Sequence, residues 1–556
     1  MTGPLIVQSD HTMLLEVEHP RYAECRDFMV RFAELVKSPE FIHTYRVTPL
    51  SLWNAAALNM TFTQITDGLQ QFNKYPIPSN VITDIKEWHG LYGKLQLIPH
   101  GEQLLLQITD PFIAEKILHD TDLSIFWLEI TKDKTRGTHI VIAKAQRGNV
   151  KHALIKAGYP VKDLCGYLTG EAIAIDLNEL DSDGNPFALR HYQTEAVEAF
   201  YQAGSAAGGN GIIVLPCGSG KTIIGLGVIA QISNYTLIIT TNNVSVHQWR
   251  NELLNKTNLA PEHIGEYTGL NKTICPITIT TYQMLTHRKS KNDPMKNLQV
   301  FSRHNWGVIV YDEVHLLPAP VFRATTDIQA KRRLGLTATL VREDGKEDDV
   351  FALIGPKRYD VPWKTLENQG FIAEAYCTEY RLSLSPEDEL HYAHATKRDQ
   401  FRIAAENHRK IDVIEQLLKK HNQDQDHILI IGQYIKQLET LAKQLNYPLI
   451  TGKTKHPERE TLYAAFKRGE IKVLIVSKVA NFAVDLPDAN VLIQVSGTYG
   501  SRQEEAQRLG RILRPKQQSS FFYTLVSKGT NEQQFGLNRQ MFLVEQGYKY
   551  HIEYFD

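Results

Sequence analysis

Cysteine is scarce in this chain of 556 residues: five, at Cys25, Cys165, Cys217, Cys275 and Cys377, with no close pair among them. Such spacing argues against a disulfide framework and against a zinc site, and it fits a reducing compartment, so a cytoplasmic location is expected. No uninterrupted apolar run is long enough to span a bilayer, and no membrane partner is expected. The first residues, MTGPLIVQSDHTMLLE, lack a basic stretch followed by an apolar one, so no secretory signal is expected. A surplus of either charge is missing as well, the net charge being −1. Any contact with nucleic acid must therefore be local, in a groove whose basic lining the balanced total conceals. Low-complexity tracts and short-period repeats are also absent.

What is present is an ordinary globular composition, 42% apolar and 22% charged. The length exceeds what one hydrophobic core organises and implies three or four domains. Residues 1–95 begin with strand-like alternation in PLIVQ and MLLEV. Helical stretches follow at Tyr22–Leu35, Ser51–Asn59, Thr63–Phe72 and Asn80–Tyr92. Short successive helices with a YPIPS turn before the last suggest a helical, winged-helix-like N-terminal domain, serving nucleic acid or another protein. Residues 96–180 read as a small α/β domain, with strands in LQLI, LLLQI, FWLEI and HIVIA and helices in PFIAEKIL and GNVKHALIKAGY. The turn-rich Ser182–Pro186 marks a boundary.

From Phe187 the pattern changes. GIIVLP, TLIIT, ITITT and GVIVY are short, nearly all-apolar, β-branched runs, as parallel strands covered on both faces require. A second series, HILIIG, YPLIT, IKVLIVS, NVLIQV and FFYTLV, starts near residue 425. The fold class is α/β, with two tandem doubly wound parallel-sheet domains at 181–372 and 373–556. The polar, helix-prone segment 384–410 reads as an insertion.

Leu215–Thr222, LPCGSGKT, lies between the strand GIIVLP and the helix TIIGLGVIAQI. In that order the backbone amides of Pro216, Cys217, Gly218, Ser219 and Gly220 can cradle phosphates, helped by the helix dipole. Lys221 would reach the terminal phosphates and Thr222 would hold Mg²⁺. Leu215 stands where the usual pattern has its first glycine. Upstream, Gln193 in LRHYQ is a candidate reader of adenine. In VIVYDEVH, Asp312 ends an apolar strand and can hold Mg²⁺ through water, while Glu313 can polarise an attacking water. Alone, such a pair would read as acids capping a strand; beside Lys221 it reads as hydrolytic. In QRLGRILR, Arg511 and Arg514 share one face of a helix, and their forks suit a γ-phosphate presented by a facing domain. Gln507 opens the same segment. His315, Thr337, Thr339 and Asp485 are candidates for coupling the hydrolytic site to a neighbouring cleft. The cofactors implied are ATP and Mg²⁺.

Through LPCGSGKT, YDEVHLLPA, LGLTATLVRED, SKVANFAVDLPDANVLIQ, QEEAQRLGRILRP and FLVEQGYKY, the chain resembles the XPB family of superfamily-two DNA repair helicases. PLIVQSD, IHTYRVTPLSLW and YGKLQL extend the resemblance through the first hundred residues, and the compact length matches the bacterial branch. The resemblance implies RecA-like motor domains and an ATP-dependent 3′–5′ DNA helicase or duplex translocase acting in repair on single-stranded and duplex DNA. It implies a thumb-like insertion near 384–410 and a damage-recognition-like domain at 96–180. Arg342, Glu343 and Asp344 would form the RED element of strand separation. Together with Thr241, Gln248, Trp249 and Thr281 they would meet DNA. A repair nuclease would be a family-style partner. Where many helicases have an acid–glycine pair, this chain has Asn481-Phe482-Ala483 before Val484-Asp485. An alternative is a nucleotide-gated clamp that recruits a nuclease without processive unwinding; another is action on RNA.

Overall fold

Every residue of Asn210–Val214, Thr236–Thr240 and Ile277–Thr281 is buried, as the all-apolar runs demand of strands covered on both sides. They belong to a seven-stranded, all-parallel sheet in the computed structural model of the chain. The structure describes all residues except 1–2, 40, 134–136, 217, 289–294, 330, 339–346, 422–425, 478–488, 498–518 and 556, and the side chains of 133, 323, 327, 456, 538 and 542. Strand order in this sheet is Ile264–Tyr267, Ile277–Thr281, Thr236–Thr240, Val308–Asp312, Arg332–Thr337, Asn210–Val214, Lys357–Asp360. A second seven-stranded parallel sheet follows, ordered Leu449–Ile450, Val473–Ser477, Ile428–Gly432, Val491–Gln494, Ser520–Ser527, Ala375–Leu382, Tyr550–Phe555. These are two tandem doubly wound parallel-sheet domains, as the two series of apolar runs imply, and RecA-like, as the family resemblance implies.

In the first sheet Val214 is in register with Thr337, and Asp312 with Leu336. Three strands therefore end together at one edge, where loops of a doubly wound sheet gather ligands. The segment after Leu384 is helical, at Pro386–His394, Lys397–Ala405 and Arg409–Lys420.

The N-terminal region has the expected helices, at Tyr22–Met29, Pro49–Ala57, Phe62–Phe72 and Ser79–Leu91. They share it with a four-stranded antiparallel sheet, ordered Leu5–Val7, Thr12–Glu16, Ile42–Arg46, Glu34–Lys37. The helix expected over Tyr22–Leu35 thus stops at Met29, because pairing with Ile42–Arg46 draws Glu34–Lys37 into a strand. Residues 95–163 form a five-stranded sheet from Trp127–Asp133, Gly137–Ala143, Gln103–Ile108, Leu95–His100 and Val161–Asp163. A buried charge network fastens this small unit to the first parallel-sheet domain. Arg147 pairs with Asp163 through two bonds, of 3.0 and 2.8 Å. Lys151 bridges Asp163 at 3.0 Å and Gln329 at 2.7 Å. No described helix is long and apolar enough to cross a membrane.

Candidate active site

The phosphate loop follows Asn210–Val214 and opens the helix Lys221–Ile232. Gly218 and Gly220 have φ of 80° and 79°, where a side chain would be strained. Ser219 is fully buried and its hydroxyl donates to the Pro216 carbonyl at 2.6 Å. Lys221 donates to the carbonyls of Leu215 and Pro216, at 3.3 Å each. Two residues of the helix His191–Tyr201 hold the loop from behind. The Tyr192 hydroxyl donates to the Ser219 carbonyl at 2.6 Å and the Gln193 amide donates to it at 3.1 Å. Gln193 also accepts from the Arg190 backbone N–H at 2.9 Å, capping its own helix. A Cβ at Gly220 would stand 2.6 Å from Gln193 Nε2, so the glycine serves close packing as well as dihedral freedom.

Asp312 ends its strand and Glu313 follows at φ 51°, ψ 53°, a left-handed conformation rare for a side-chain-bearing residue and typical of strained functional positions. Burial is the chief force on both carboxyls. It pushes Asp312 up to about 6, aided by the charge of Glu313 and opposed by the Trp249 hydrogen bond and by Lys221. Glu313 is raised by burial and pulled back by Lys221. The lysine is thus close enough to act on both acids. Glu313 keeps 18% of its side chain exposed, so the recess remains open to solvent. Its buried Oε2 has no hydrogen-bond partner among the described residues. His315 Nδ1 lies 3.4 Å from that oxygen and shares a 2.7 Å hydrogen bond with Thr337 Oγ1, which links the acid pair to the adjacent strand end.

Lys221, Thr222, Asp312, Glu313, His315 and Thr337 therefore gather at one sheet edge, with Gln193, Pro216, Gly218, Ser219 and Gly220 shaping the loop. Cys217, Thr339, Arg342, Glu343, Asp344, Asp485, Gln507, Arg511 and Arg514 lie outside the described residues, as do Asn481, Phe482 and Ala483. Two expected DNA contacts need correction. Trp249 is only 1% exposed and its indole donates to Asp312 Oδ2 at 2.9 Å, so it faces the hydrolytic site. Thr281 is buried, and its hydroxyl caps the short helix Tyr282–Thr286 by accepting from the Met284 N–H at 3.0 Å. Thr241 is half-buried and accepts from the Asn242 amide, while Gln248 is exposed. Sequence reasoning passed over Tyr192, although it adjoins Gln193 in LRHYQ.

For Mg²⁺, the donor set fits. No group of three or more His, Cys, Asp or Glu that could cage a metal occurs among the described residues. A threonine hydroxyl and one carboxylate beside a phosphate loop suit an ion that keeps several waters and is shared with phosphates.

A phosphate loop and a carboxylate pair on one parallel sheet, followed by a second parallel-sheet domain, define a two-domain P-loop nucleoside triphosphatase of the helicase class. Family models agree: ERCC3/RAD25/XPB C-terminal helicase matches residues 366–554, Type III restriction enzyme, res subunit, matches 186–342, and Helicase conserved C-terminal domain matches 5–131. The chain is 50% identical to the DNA 3′-5′ helicase XPB of Kineococcus radiotolerans over 99% of its length and 96% of that protein. It is 47% identical to the DNA 3′-5′ helicase XPB of Mycobacterium tuberculosis, over 99% of this chain and 97% of the other. The General transcription and DNA repair factor IIH helicase/translocase subunit XPB of Enterocytozoon bieneusi is 34% identical over 98% of this chain and 92% of its own. The chain belongs to the XPB family of helicases, and ATP use comes with that membership.

Proposed function

We propose that this protein is an ATP-dependent 3′–5′ DNA helicase or duplex translocase that acts in DNA repair. The observation that carries the reading is the convergence of Lys221, Asp312 and Glu313 at one sheet edge, in a chain that aligns end to end with XPB helicases. Lys221 turns from its loop carbonyls to the terminal phosphates of ATP. Glu313, raised by burial and with one oxygen uncommitted among the described residues, accepts a proton from the attacking water. Thr222 and Asp312 would hold Mg²⁺, which supplies charge neutralisation at the phosphates when bound. Arg511 and Arg514 reach the γ-phosphate from the second domain, a contribution of about 10³–10⁵ in rate for an arginine finger. Gln193 serves the adenine side. His315, Thr337, Thr339 and Asp485 couple the site to the DNA cleft.

DNA lies across both parallel-sheet domains, contacted mainly through phosphates, as suits a motor indifferent to sequence. Thr241, Gln248, Arg342, Glu343 and Asp344 are the contacts in this reading. The domains run 1–95, 96–180, 181–372 and 373–556, with the small α/β domain in a damage-recognition role and 384–410 as the thumb. The working partners are single-stranded and duplex DNA and a repair nuclease, in the cytoplasm.

The test is strand displacement on 3′-tailed and 5′-tailed DNA duplexes and on RNA duplexes, with the wild type and Lys221→Ala. ATP-dependent displacement of the 3′-tailed DNA alone, lost in Lys221→Ala, is expected. DNA-stimulated ATPase without displacement would favour pure translocation or a clamp, and preference for RNA would overturn the substrate assignment.

A further inference from the structure

Asp312 has two carboxylate oxygens, and a buried indole claims one of them. Trp249 Nε1 donates to Oδ2 at 2.9 Å from a side chain only 1% exposed. Indole nitrogen is a donor only, so this ring needs an acceptor wherever it is buried, and here the acceptor is a carboxylate, the stronger kind of bond. The ring is also wedged against the phosphate-loop helix. Gly225 sits one turn after Lys221, and a Cβ there would stand 2.4 Å from Trp249 Cη2 and 3.0 Å from Cζ3. A glycine inside a helix is less favourable than alanine; at this position it makes room for the indole. Trp249 thus touches the helix that carries Lys221 and the carboxylate that ends the neighbouring strand.

Its own helix, Asn243–Lys256, runs to the other surface that the reading above requires. Asn242 caps it by accepting from the Ser245 N–H at 3.0 Å and donates to Thr241 at 3.1 Å. Gln248, next to the tryptophan in sequence, is exposed. A displacement of this helix by DNA at Thr241 or Gln248 has a direct mechanical route to Asp312 through one stiff side chain with two torsions.

We infer that Trp249 is a positioning residue, fixing one oxygen of Asp312 so that the other is presented to the Mg²⁺–nucleotide, and tying that orientation to DNA held on the helix Asn243–Lys256. This rests on the proposed hydrolytic site. It assigns the tryptophan a role at the ATP site, where the sequence had suggested DNA.

Trp249→Phe keeps an aromatic ring and removes the N–H. Gly225→Ala keeps the N–H and pushes the ring. Calorimetric titration with ADP, once with Mg²⁺ and once with EDTA, reads nucleotide binding without turnover. Both variants are expected to bind Mg²⁺-free ADP within about twofold of wild type and to lose about tenfold of the affinity that Mg²⁺ adds, the size of one charge-assisted hydrogen bond. Stimulation of ATPase by duplex DNA should fall about tenfold in Trp249→Phe, with KM for Mg²⁺–ATP rising no more than the Mg²⁺-dependent loss seen with ADP. A merely structural role would instead lower thermal stability and weaken both titrations alike. Full retention of the Mg²⁺ gain and of DNA stimulation in Trp249→Phe would overturn the inference, as would equal loss with and without Mg²⁺. Lys221→Ala separates the two levels. If wild-type ADP binding does not depend on Lys221, the hydrolytic site itself is misplaced; if it does and Trp249→Phe is silent, only the role of Trp249 falls.

Discussion

At Asp312 the physics of catalysis and of stability oppose each other. Its carboxyl titrates near 6 in the folded chain, against 3.8 for the free side chain, chiefly because it is desolvated beside Glu313. The folded state therefore binds a proton more readily than the unfolded one. The stabilising contribution is present below pH 4 and is lost as pH rises through about 6, so at neutral pH the ionised carboxylate is a burden. Asp312→Asn, in EDTA, is expected to raise the melting temperature by about 3 °C at pH 8, reflecting about 1 kcal/mol after allowance for solvent access, and by about half as much at pH 5, midway between the two titration points. An equal gain at both pH values, or a loss, would refute it. Glu313→Gln should leave nucleotide and DNA binding near wild type while cutting ATPase turnover by about 10²–10⁴, as removal of a general base does; normal steady-state turnover would mean that another group takes the proton. Lys221, Thr222, Asp312 and Glu313 were legible in sequence because each sits within a few residues of a strand end, where local pattern dictates geometry. Trp249 was not, since its partner lies 63 positions away and only burial decides which way the ring points.

Elements show the same division between local and distant causes. The central strands announced themselves: Ile428–Gly432 and Val473–Ser477 are buried at every residue. Their sheet ends at Tyr550–Phe555, and the first sheet at Lys357–Asp360, edge strands half-buried or exposed along most of their length and carrying no apolar run to mark them. Edges are polar because they face water on one side, so periodicity fails there for a physical reason. The polar stretch near 384–410 reads in sequence as an insertion, and its end is bolted down. Lys410 is 1% exposed, and its ammonium lies 2.9 Å from both oxygens of Glu532, on the helix Asn531–Glu545, and 2.8 Å from the Val495 carbonyl. Removing one partner leaves a buried charge alone, which costs about 3–5 kcal/mol, whereas replacing both by apolar groups is often close to neutral. Glu532→Gln is therefore expected to destabilise the second domain by about 3 kcal/mol in chemical denaturation, and Lys410→Met with Glu532→Leu by far less. If the double variant were as unstable as the single one, the pair would be a true source of stability.

Over the whole molecule, the N-terminal domain touches both motor domains at once. On one side Trp53 is buried in the core of the first, its ring 6.1 Å from that of Phe351, and Asn54 accepts from the Lys357 backbone N–H at 3.0 Å. On the other, Met541 and Val544 of the second motor domain join the N-terminal core, Arg26 donates to the Gly547 carbonyl at 3.3 Å, and the Lys549 ammonium lies 5.0 Å from the centre of the Tyr22 ring. Between the two contacts lies a cavity of about 1070 Å³, lined by Arg31, Glu34, Trp53, Lys357 and Glu545 among others. A motor whose domains approach and separate over an ATP cycle cannot keep both contacts unchanged. The first inserts a whole indole into the core of the first motor domain, whereas the second has, beside Met541 and Val544, one long hydrogen bond from the Arg26 guanidinium to the Gly547 carbonyl. The second should therefore release. Hydrogen exchange with a non-hydrolysable ATP analogue and duplex DNA is expected to show faster exchange at Tyr22–Met29 and at Leu543–Tyr548, while Pro49–Ala57 and Phe351–Lys357 keep their protection. Loss of protection around Trp53 would reverse the assignment. Unchanged exchange at both contacts would mean that the N-terminal domain travels with neither motor domain alone, and that the domains do not change their spacing.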